Sequence, residues 1–464
     1  MRYSLPVVTV LVSSSLLNHF SHAAAAVGWR SDGTGLYPKA NPVLEWSPTE
    51  NVVWKTPLPE WGNSMPVLVG GKLFVNVEPD TLVCVSAPKG EILWKQPVKM
   101  EDTLTAEQRK KMEESRGEIE KLKAEMEDLN RQGLEMGRTI RGAADSERPA
   151  LEQQRSELRE RSDAIVKKLA EMGGVTEPPT HQANGYTSPT PVSDGKGAFV
   201  VYGTGVVAAL DLEGKRLWTK LHEQPTHQWG HSTSPLLVDG KLIVHFKTMM
   251  ALKPDSGEIV WKTEIPESWG TPAVGDVGGV KILVTARGDI VRASDGKKLA
   301  DNLFELPFGC PIIHQGVIYG VDEKGGFAFA LPKKIEGDTI EVKNLWRNAP
   351  PRDRYYSSAV VVDGVLYAMN RGQHLSAIDA ATGEILYSER VDLGRGQQLY
   401  GSFCLAGNHL FVGHDNGQIA VLKPGRTFEI VKINSLEPSR STPIFDGNRM
   451  YFRTDKNLYC IGRP

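Results

Sequence analysis

A repeated order of apolar and polar segments runs along most of the chain. Each copy starts with a small residue and proline and continues through an apolar strand, a glycine turn and two further apolar strands. It ends in glycine and a charged residue before an apolar pair and tryptophan, and the clearest copy extends from Ser234 to Trp261. From Pro191 onward the copies start 37 to 48 residues apart. This spacing is typical of four-stranded propeller blades, whose period is about 40–50 residues.

Eight copies can be recognised, and the eighth has room for only three strands after Pro443. Residues 51–55 match the tryptophan-ending strand and come before the first copy, so we expect them to complete the last blade and close the ring. The pattern predicts an all-β, eight-bladed β-propeller of four-stranded blades over residues 51–99 and 180–464. We expect the tryptophans that end the copies to pack between blades: Trp54, Trp94, Trp218, Trp261 and Trp346.

Residues 100–175 interrupt the repeat with a highly charged stretch that lacks strand patterning. Apolar residues follow a heptad spacing on both sides of a break near Gly142 and Pro149. This spacing predicts an inserted antiparallel helical coiled-coil hairpin that projects from the rim as an arm. Two interpretations stay open: a solvated decoration, or a docking arm for a partner or a second subunit.

The N-terminus is typical of a secretory signal. Arg2 precedes an apolar run over residues 5–17, and Ser21, Ala23 and Ala25 supply small residues for cleavage. We assign residues 1–25 to the signal peptide and 26–50 to a leader segment. The apolar run is too short to span a bilayer, and no cysteine follows it for a lipid anchor. The expected mature protein is exported, soluble, not lipid-anchored, and periplasmic or extracellular.

Charge and motifs narrow the chemistry. The formal net charge of -2 argues against nucleic acid or an anionic membrane as the main partner. Four cysteines occur without a C-x-x-C pair, so we expect buried small residues, or one disulfide in an oxidising compartment, and no metal site. No nucleophile elbow, P-loop or dinucleotide fingerprint is present, and we assign no catalytic residue.

An aromatic residue precedes the first strand of seven of the eight copies. In a propeller these loops surround the axis on one face, so the aromatics predict a ring at the mouth of a funnel. Such a ring would stack on a flat or sugar-like ligand or on a peptide side chain, and arginines there would bind a carboxylate. The alternative is that the rings only pack between blades. The candidate ligand-binding residues are Trp61, Tyr186, Trp229, His231, Trp269, Phe308, Arg354, Tyr355, Tyr400 and Arg440.

The stretch from Ala377 to Tyr387 resembles the A-x-D-x-x-T-G-x-x-x-W docking motif of quinoprotein propellers, with tyrosine in place of tryptophan. Outside the hairpin, the mature chain is similar to the pyrroloquinoline-quinone-repeat family. That family includes quinone-dependent alcohol dehydrogenases and the BamB scaffold of outer-membrane assembly. The leader from Gly28 to Gly35 resembles the leaders of exported bacterial repeat proteins with no known activity.

The resemblance implies the propeller fold more strongly than a function. Quinone-dependent members hold pyrroloquinoline quinone near the axis, often over adjacent cysteines, with a calcium ion. No two cysteines are adjacent here, and there is no haem-binding C-x-x-C-H. We therefore expect a non-catalytic periplasmic binding or scaffold protein whose axial face and helical arm receive a protein partner or small ligand. The alternatives are a quinone-dependent oxidoreductase of alcohols or sugars and, more weakly, a carbohydrate-recognition module.

Overall fold

The computed structural model describes residues 26–172, 176–395 and 398–463. The predicted signal peptide lies outside these ranges. Within them the chain forms eight four-stranded sheets, one carrying a short fifth strand, and two long helices. The predicted eight-bladed β-propeller with an inserted helical hairpin is confirmed. The described helices include none with the length and apolar character needed to cross a membrane.

The first four blades are antiparallel meanders whose strands pair in chain order. Blade 1 consists of Val67–Val69, Lys72–Val77, Thr81–Ser86 and Ile92–Pro97. Blade 2 consists of Val192–Ser193, Gly197–Val201, Val206–Asp211 and Arg216–Leu221. Blade 3 consists of Leu236–Val238, Lys241–His245, Met249–Leu252 and Ile259–Thr263. Blade 4 consists of Ala273–Val277, Val280–Val284, Ile290–Arg292 and Lys298–Ala300.

The last four blades follow the same plan. Blade 5 consists of Ile312–His314, Val317–Asp322, Gly325–Ala330 and Lys343–Asn348. Blade 6 consists of Val360–Val362, Val365–Met369, His374–Asp379 and Ile385–Arg390. Blade 7 consists of Cys404–Ala406, His409–Gly413, Gln418–Leu422 and Ile430–Ser435, with Leu36–Tyr37 added in parallel to its first strand. Blade 8 consists of Ile444–Asp446, Arg449–Arg453, Asn457–Ile461 and the N-terminal strand Val52–Pro57.

The ring closes in blade 8, where strands from the two ends of the sequence meet. Val52–Pro57 pairs antiparallel with Asn457–Ile461, and Thr56 lies opposite Leu458. First strands of consecutive blades contact one another, which places them around the axis. Closure leaves only short edges, which limits edge-to-edge association.

Tryptophans on the outer strands of five blades dock each of those blades onto the next. The Trp261 Nε1–H donates to Ala293 O of blade 4 at 3.0 Å, and its ring covers Gly296, which has a φ of 74°. A Cβ on Gly296 would lie 2.5 Å from that ring. A register shift between the third and fourth strands recurs in every blade, and such bulges re-aim side chains. The same indole bond is made by Trp54, Trp94, Trp218 and Trp346.

The hairpin consists of α1, Ala106–Gly142, and α2, Arg148–Glu171, after a 3-10 turn at Met100–Thr103. Thr105 caps α1 by accepting from the Gln108 N–H, while its own N–H donates to the Gln108 side chain, a capping box. Ion pairs between the helices follow an antiparallel register. The shared apolar core consists of Ile119, Leu122, Met126, Leu129, Ile165 and Leu169.

Candidate functional site

A belt of hydrogen bonds joins the blades where their first strands begin. The Thr190 N–H donates to Ser234 Oγ, and the Ser234 N–H to Thr271 Oγ1, both at 3.0 Å. The Ser402 N–H donates to Thr442 Oγ1 at 2.8 Å. Equivalent bonds join blade 1 to 2, 5 to 6 and 6 to 7. Because each hydroxyl accepts from the preceding blade, the loops around the axis are held in a fixed order.

The leader segment enters the ring. Val27 bridges to Ser193 of blade 2, and Leu36–Tyr37 pairs with the first strand of blade 7. Between them, Arg30 is fully buried, donates through Nη2 to Phe403 O at 2.6 Å, and lies under the Trp29 ring at 5.3 Å. Trp29 lines the cavity above. The leader thus provides part of the inner wall of the axial site.

An axial cavity of about 540 Å³ opens on the face that carries the loops before the first strands. Its lining includes the residue that begins the first strand region of every blade, from Met65 in blade 1 to Thr442 in blade 8. We call this cavity the funnel. Six of the predicted candidates line it: Trp229, Trp269, Phe308, Arg354, Tyr400 and Arg440.

Aromatic rings form a continuous arc along one side of the funnel. Trp269 stacks on Phe308 with ring centroids 5.8 Å apart and planes within 10°. Tyr356 lies 4.5 Å from Phe308 and 5.2 Å from Tyr400. On the opposite side of Trp269, the Trp229 ring is 45% exposed. The arc presents apolar faces and edges to a ligand, as is common in small-molecule sites.

Hydrogen bonds hold parts of this wall in place. The Trp269 Nε1–H donates to Gly230 O at 3.0 Å. Asn184 Nδ2 donates to Trp229 O at 2.9 Å, and the His181 ring stacks on Trp229 at 4.1 Å. Burial lowers the pKa of His181, and the charge of Arg440 lowers it further. His181 is therefore neutral near pH 7 and adds a flat polar face beside Trp229.

Arginines supply the charge of the funnel. Arg354 Nη1 donates to Tyr356 Oη at 3.2 Å, and its guanidinium lies 5.8 Å from the Phe308 ring. Arg440 Nη1 donates to Ala183 O at 3.0 Å, and its guanidinium lies 5.6 Å from the Tyr400 ring. Both cations are thus placed against aromatic faces, which favours cation–π contact. The third arginine, Arg159, comes from α2 of the hairpin.

The hairpin therefore contributes to the axial site as well as extending from the propeller. Its base is fixed between blades 1 and 2, where Met100 is buried with Phe74 and Tyr202. Lys123 pairs with Glu177 at 2.8 Å beyond the hairpin. These contacts orient α2 so that Arg159 lines the funnel.

Four of the predicted site residues lie elsewhere. Tyr355 is 3% exposed and its hydroxyl donates to Pro351 O at 2.9 Å, so it packs inside the loop while its neighbour Tyr356 lines the funnel. His231 is buried beside Phe246. The other two, Trp61 and Tyr186, lie near Glu78, which accepts from the Tyr186 N–H and whose own N–H donates to Trp61 O. They support the loop between blades 1 and 2.

The lining features that were not among the ten sequence candidates include Trp29, Arg159 and the hydroxyl belt. The belt had a detectable signal, because Thr190, Ser234, Thr271, Ser402 and Thr442 occupy one equivalent position per repeat. Trp29 and Arg159 had none, because their positions depend on how the leader and the hairpin pack on the ring.

The four cysteines are free and buried in the structure, so the described chain has no disulfide. Burial raises the pKa of Cys404 and of Cys84 to about 12, and that of Cys460 to about 11. Cys310 lines the funnel, and burial raises its pKa as well. These thiols are protonated at neutral pH, which makes them poor nucleophiles.

We tested the lining against a quinone with its calcium ion. Calcium prefers carboxylate oxygens, and no aspartate or glutamate lines the funnel. Among the described residues, no group of three or more His, Cys, Asp or Glu is placed to hold a metal. Asn63 offers an amide, but its Nδ2 already donates to Ala183 O and Asn184 O. This donor set does not fit a calcium–quinone pair, and we derive no redox step.

The fold and the funnel together define an eight-bladed, quinoprotein-like propeller with an axial cavity. The family described as outer membrane protein assembly factor BamB matches residues 43–125, 142–331 and 371–461. These segments cover more than half of the sequence, and the chain belongs to this family. No curated protein sequence matches it.

Solved structures with the same fold include enzymes. The quinohemoprotein alcohol dehydrogenase from Comamonas testosteroni is 12% identical with a TM-score of 0.53, over 92% of this chain and 79% of that one. A europium-containing methanol dehydrogenase is 12% identical with a TM-score of 0.53, over 91% and 88%. BamB from Moraxella catarrhalis is 16% identical with a TM-score of 0.46, over 58% and 80%. At these identities the similarity to the dehydrogenases shows the fold alone.

Proposed function

We propose that the protein is an exported, non-catalytic binding or scaffold protein, and that its axial funnel receives a small ligand or a segment of a partner protein. The observation that carries the proposal is the arc from Trp269 to Tyr400, which offers contiguous ring surface in a cavity of about 540 Å³. Cavities of about 300–1,000 Å³ with apolar walls and a few polar groups are typical binding sites.

The chemistry of the lining supports binding over catalysis. Its polar groups are amides, hydroxyls and arginines, which orient and retain a bound molecule. The buried Cys310 thiol, with its raised pKa, is protonated at neutral pH. The quinone-dependent alternative requires calcium ligands that this lining does not supply. Membership of the BamB family supports a scaffold role outside the cytoplasm, with the hairpin as a second contact surface.

Affinity capture from envelope extracts tests the proposal. The bait is the full chain, compared with Trp229→Ala combined with Tyr400→Ala, and with a chain in which residues 106–171 are replaced by a flexible linker. We expect the funnel variant to lose specific partners or co-purified ligand, because it removes ring surface at both ends of the site.

Leu217→Ala is the matched control, since Leu217 is 55% exposed on the outer strand of blade 2, away from the funnel. All baits should show the same thermal unfolding midpoint. If the funnel variant captures the same molecules in the same amounts as wild type, the funnel is not the binding site.

A further inference from the structure

The funnel has an unbalanced charge. Arg159, Arg354 and Arg440 line it, and none of its lining residues is aspartate or glutamate. Below the wall, the buried Arg30 lies under Trp29, and no ion pair is found for it among the described residues. An enclosed site with this excess of positive charge attracts anions.

Arg354 and Arg440, the two funnel arginines that come from the propeller loops, have donor groups available to a ligand. Neither Arg354 nor Arg440 forms an ion pair within the described chain. The bond to Tyr356 raises the pKa of Arg354, and the charges of Glu323 and Asp353 raise it further, but Asp353 is itself paired with Arg371 at 3.0 Å. Asp455 lies near enough to Arg440 to feel its charge, but burial dominates and raises the pKa of this carboxyl. Arg440 Nε is buried without a hydrogen-bond partner, so its donor capacity is only partly used.

Arg159 differs from its neighbours on the hairpin. Arg161 pairs with Glu125 at 3.5 Å and Lys168 with Glu118 at 2.6 Å, and these pairs bind the two helices together. Arg159 forms no such pair in the described part of the chain and instead lines the funnel. It thus adds a third cation from an element that is not part of the propeller.

We propose that the funnel is a site for a polyanionic ligand with a flat apolar body, and that Arg159 completes it. This inference rests on the proposed function. The aromatic arc stacks on the body of the ligand, Arg354 and Arg440 bind carboxylate or phosphate groups from the propeller loops, and Arg159 binds a further group from the hairpin. Arginine suits this role because its planar guanidinium bonds either group bidentately. The hairpin is then part of the binding site, and it selects ligands that carry more than one anionic group.

Calorimetric titration of the full chain with defined probes tests the proposal. Trimesate carries three carboxylates on a benzene ring, and benzene-1,3,5-tricarboxamide has the same shape without charge. Tricarballylate has the three carboxylates without the ring, and phenyl phosphate replaces carboxylate by phosphate. We expect trimesate to bind at least about tenfold more tightly than the tricarboxamide and tricarballylate, and the affinity to fall as salt is raised.

Single substitutions distinguish the contribution of the hairpin arginine to trimesate affinity from that of the propeller arginines. Arg159→Gln should weaken trimesate binding by about tenfold, the size of one charge-assisted bond. Arg155→Gln, on the same helix but outside the lining, should leave it unchanged. Arg440→Gln should weaken it by at least as much. Both hairpin residues are exposed, so unchanged unfolding midpoints are expected. Benzoate, with one carboxylate on the same ring, is the matched probe for phenyl phosphate, and tighter binding of phenyl phosphate would assign the site to phosphate.

The outcomes also separate this inference from the proposed function. Equal affinity for trimesate and the tricarboxamide, or equal effects of Arg155→Gln and Arg159→Gln, would overturn the anion site while leaving a binding funnel. If no probe binds but capture from extracts still depends on Trp229 and Tyr400, the anion site is likewise overturned and the binding funnel remains. If no probe binds and capture is also indifferent to those residues, both proposals fail.

Discussion

At the residue scale, blade 3 holds two buried histidines. His231 lies in the loop before the blade, and His245 ends its second strand. His245 Nε2 lies 3.3 Å from Ile265 O, and the His231 ring packs 4.9 Å from the Phe246 ring. Burial lowers the pKa of His231 to about 3 and that of His245 to about 4. Both rings are therefore neutral in the folded protein across the physiological range.

This pair predicts acid sensitivity. An unfolded histidine titrates near pH 6.5, so below about pH 6.5 the unfolded chain binds protons that the folded chain does not. The free energy of unfolding therefore falls as pH drops, by about 1.4 kcal/mol per pH unit for each histidine. We expect His231→Phe to reduce this slope by about that amount between about pH 6 and pH 4. Urea unfolding across this range measures the slope.

The control for this measurement is Leu217→Ala, at an exposed position on the outer strand of blade 2 that carries no titratable group. It should leave the slope as in wild type. A His231→Phe chain whose unfolding midpoint follows pH as steeply as wild type would show that His231 charges without cost in the folded state.

At the element scale, five of the interfaces between consecutive blades share one contact, a tryptophan of the outer strand. The indole both fills the gap over a turn glycine and donates to a turn carbonyl of the next blade. Blade 6 departs from this scheme, because Tyr387 replaces tryptophan and packs 5.8 Å from Phe428. Tyr367 of blade 6 adds a bond at the same interface, because its hydroxyl donates to Gly425 O of blade 7 at 3.0 Å. At this interface two tyrosines therefore supply the ring and the donor that one tryptophan supplies in each of those five interfaces.

Trp261→Phe tests the contact that the tryptophans share. The variant loses the bond to Ala293 O and leaves a gap over Gly296, so we expect a loss of about 2–4 kcal/mol in the free energy of unfolding. Differential scanning calorimetry measures the effect. Trp229→Phe is the matched control, since its ring is 45% exposed and its change should stay within about 0.5 kcal/mol. Equal midpoints for the two variants would contradict the docking role.

At the scale of the whole molecule, closure links the two ends of the chain. Besides the pairing of Val52–Pro57 with Asn457–Ile461, the buried Arg453 of blade 8 donates to Ser64 Oγ at 3.0 Å. Ser441 Oγ donates to Ser64 O at 3.3 Å. Burial lowers the pKa of Arg453 to about 9, against the opposing effect of Glu78. Blades 8 and 1 are therefore joined by polar bonds as well as by packing.

A chain that ends after Lys456 tests the need for closure. It lacks Asn457–Ile461, so Val52–Pro57 loses its neighbour and two strand edges are exposed. We expect the truncated chain to aggregate and to lose its cooperative thermal transition. A chain that ends after Gly462 keeps the pairing and should unfold like wild type. A soluble truncated chain with the wild-type midpoint would show that seven blades suffice.

The sequence by itself determined the propeller, the docking tryptophans and the hairpin. These features are periodic and local: strand alternation, a tryptophan at the end of five repeats and a heptad spacing are all patterns of neighbouring residues. The sequence also predicted that six residues lie together around the axis, because equivalent loops of a ring meet there: Trp229, Trp269, Phe308, Arg354, Tyr400 and Arg440.

Only the tertiary structure decided how the funnel is completed. Tyr355 and Tyr356 are adjacent, yet one is buried and the other lines the site, because the loop backbone sets the direction of each side chain. Trp29 and Arg159 reach the funnel from the leader and the hairpin, segments outside the repeat. Their positions depend on packing between parts of the chain that are distant in sequence, and no local pattern encodes such contacts.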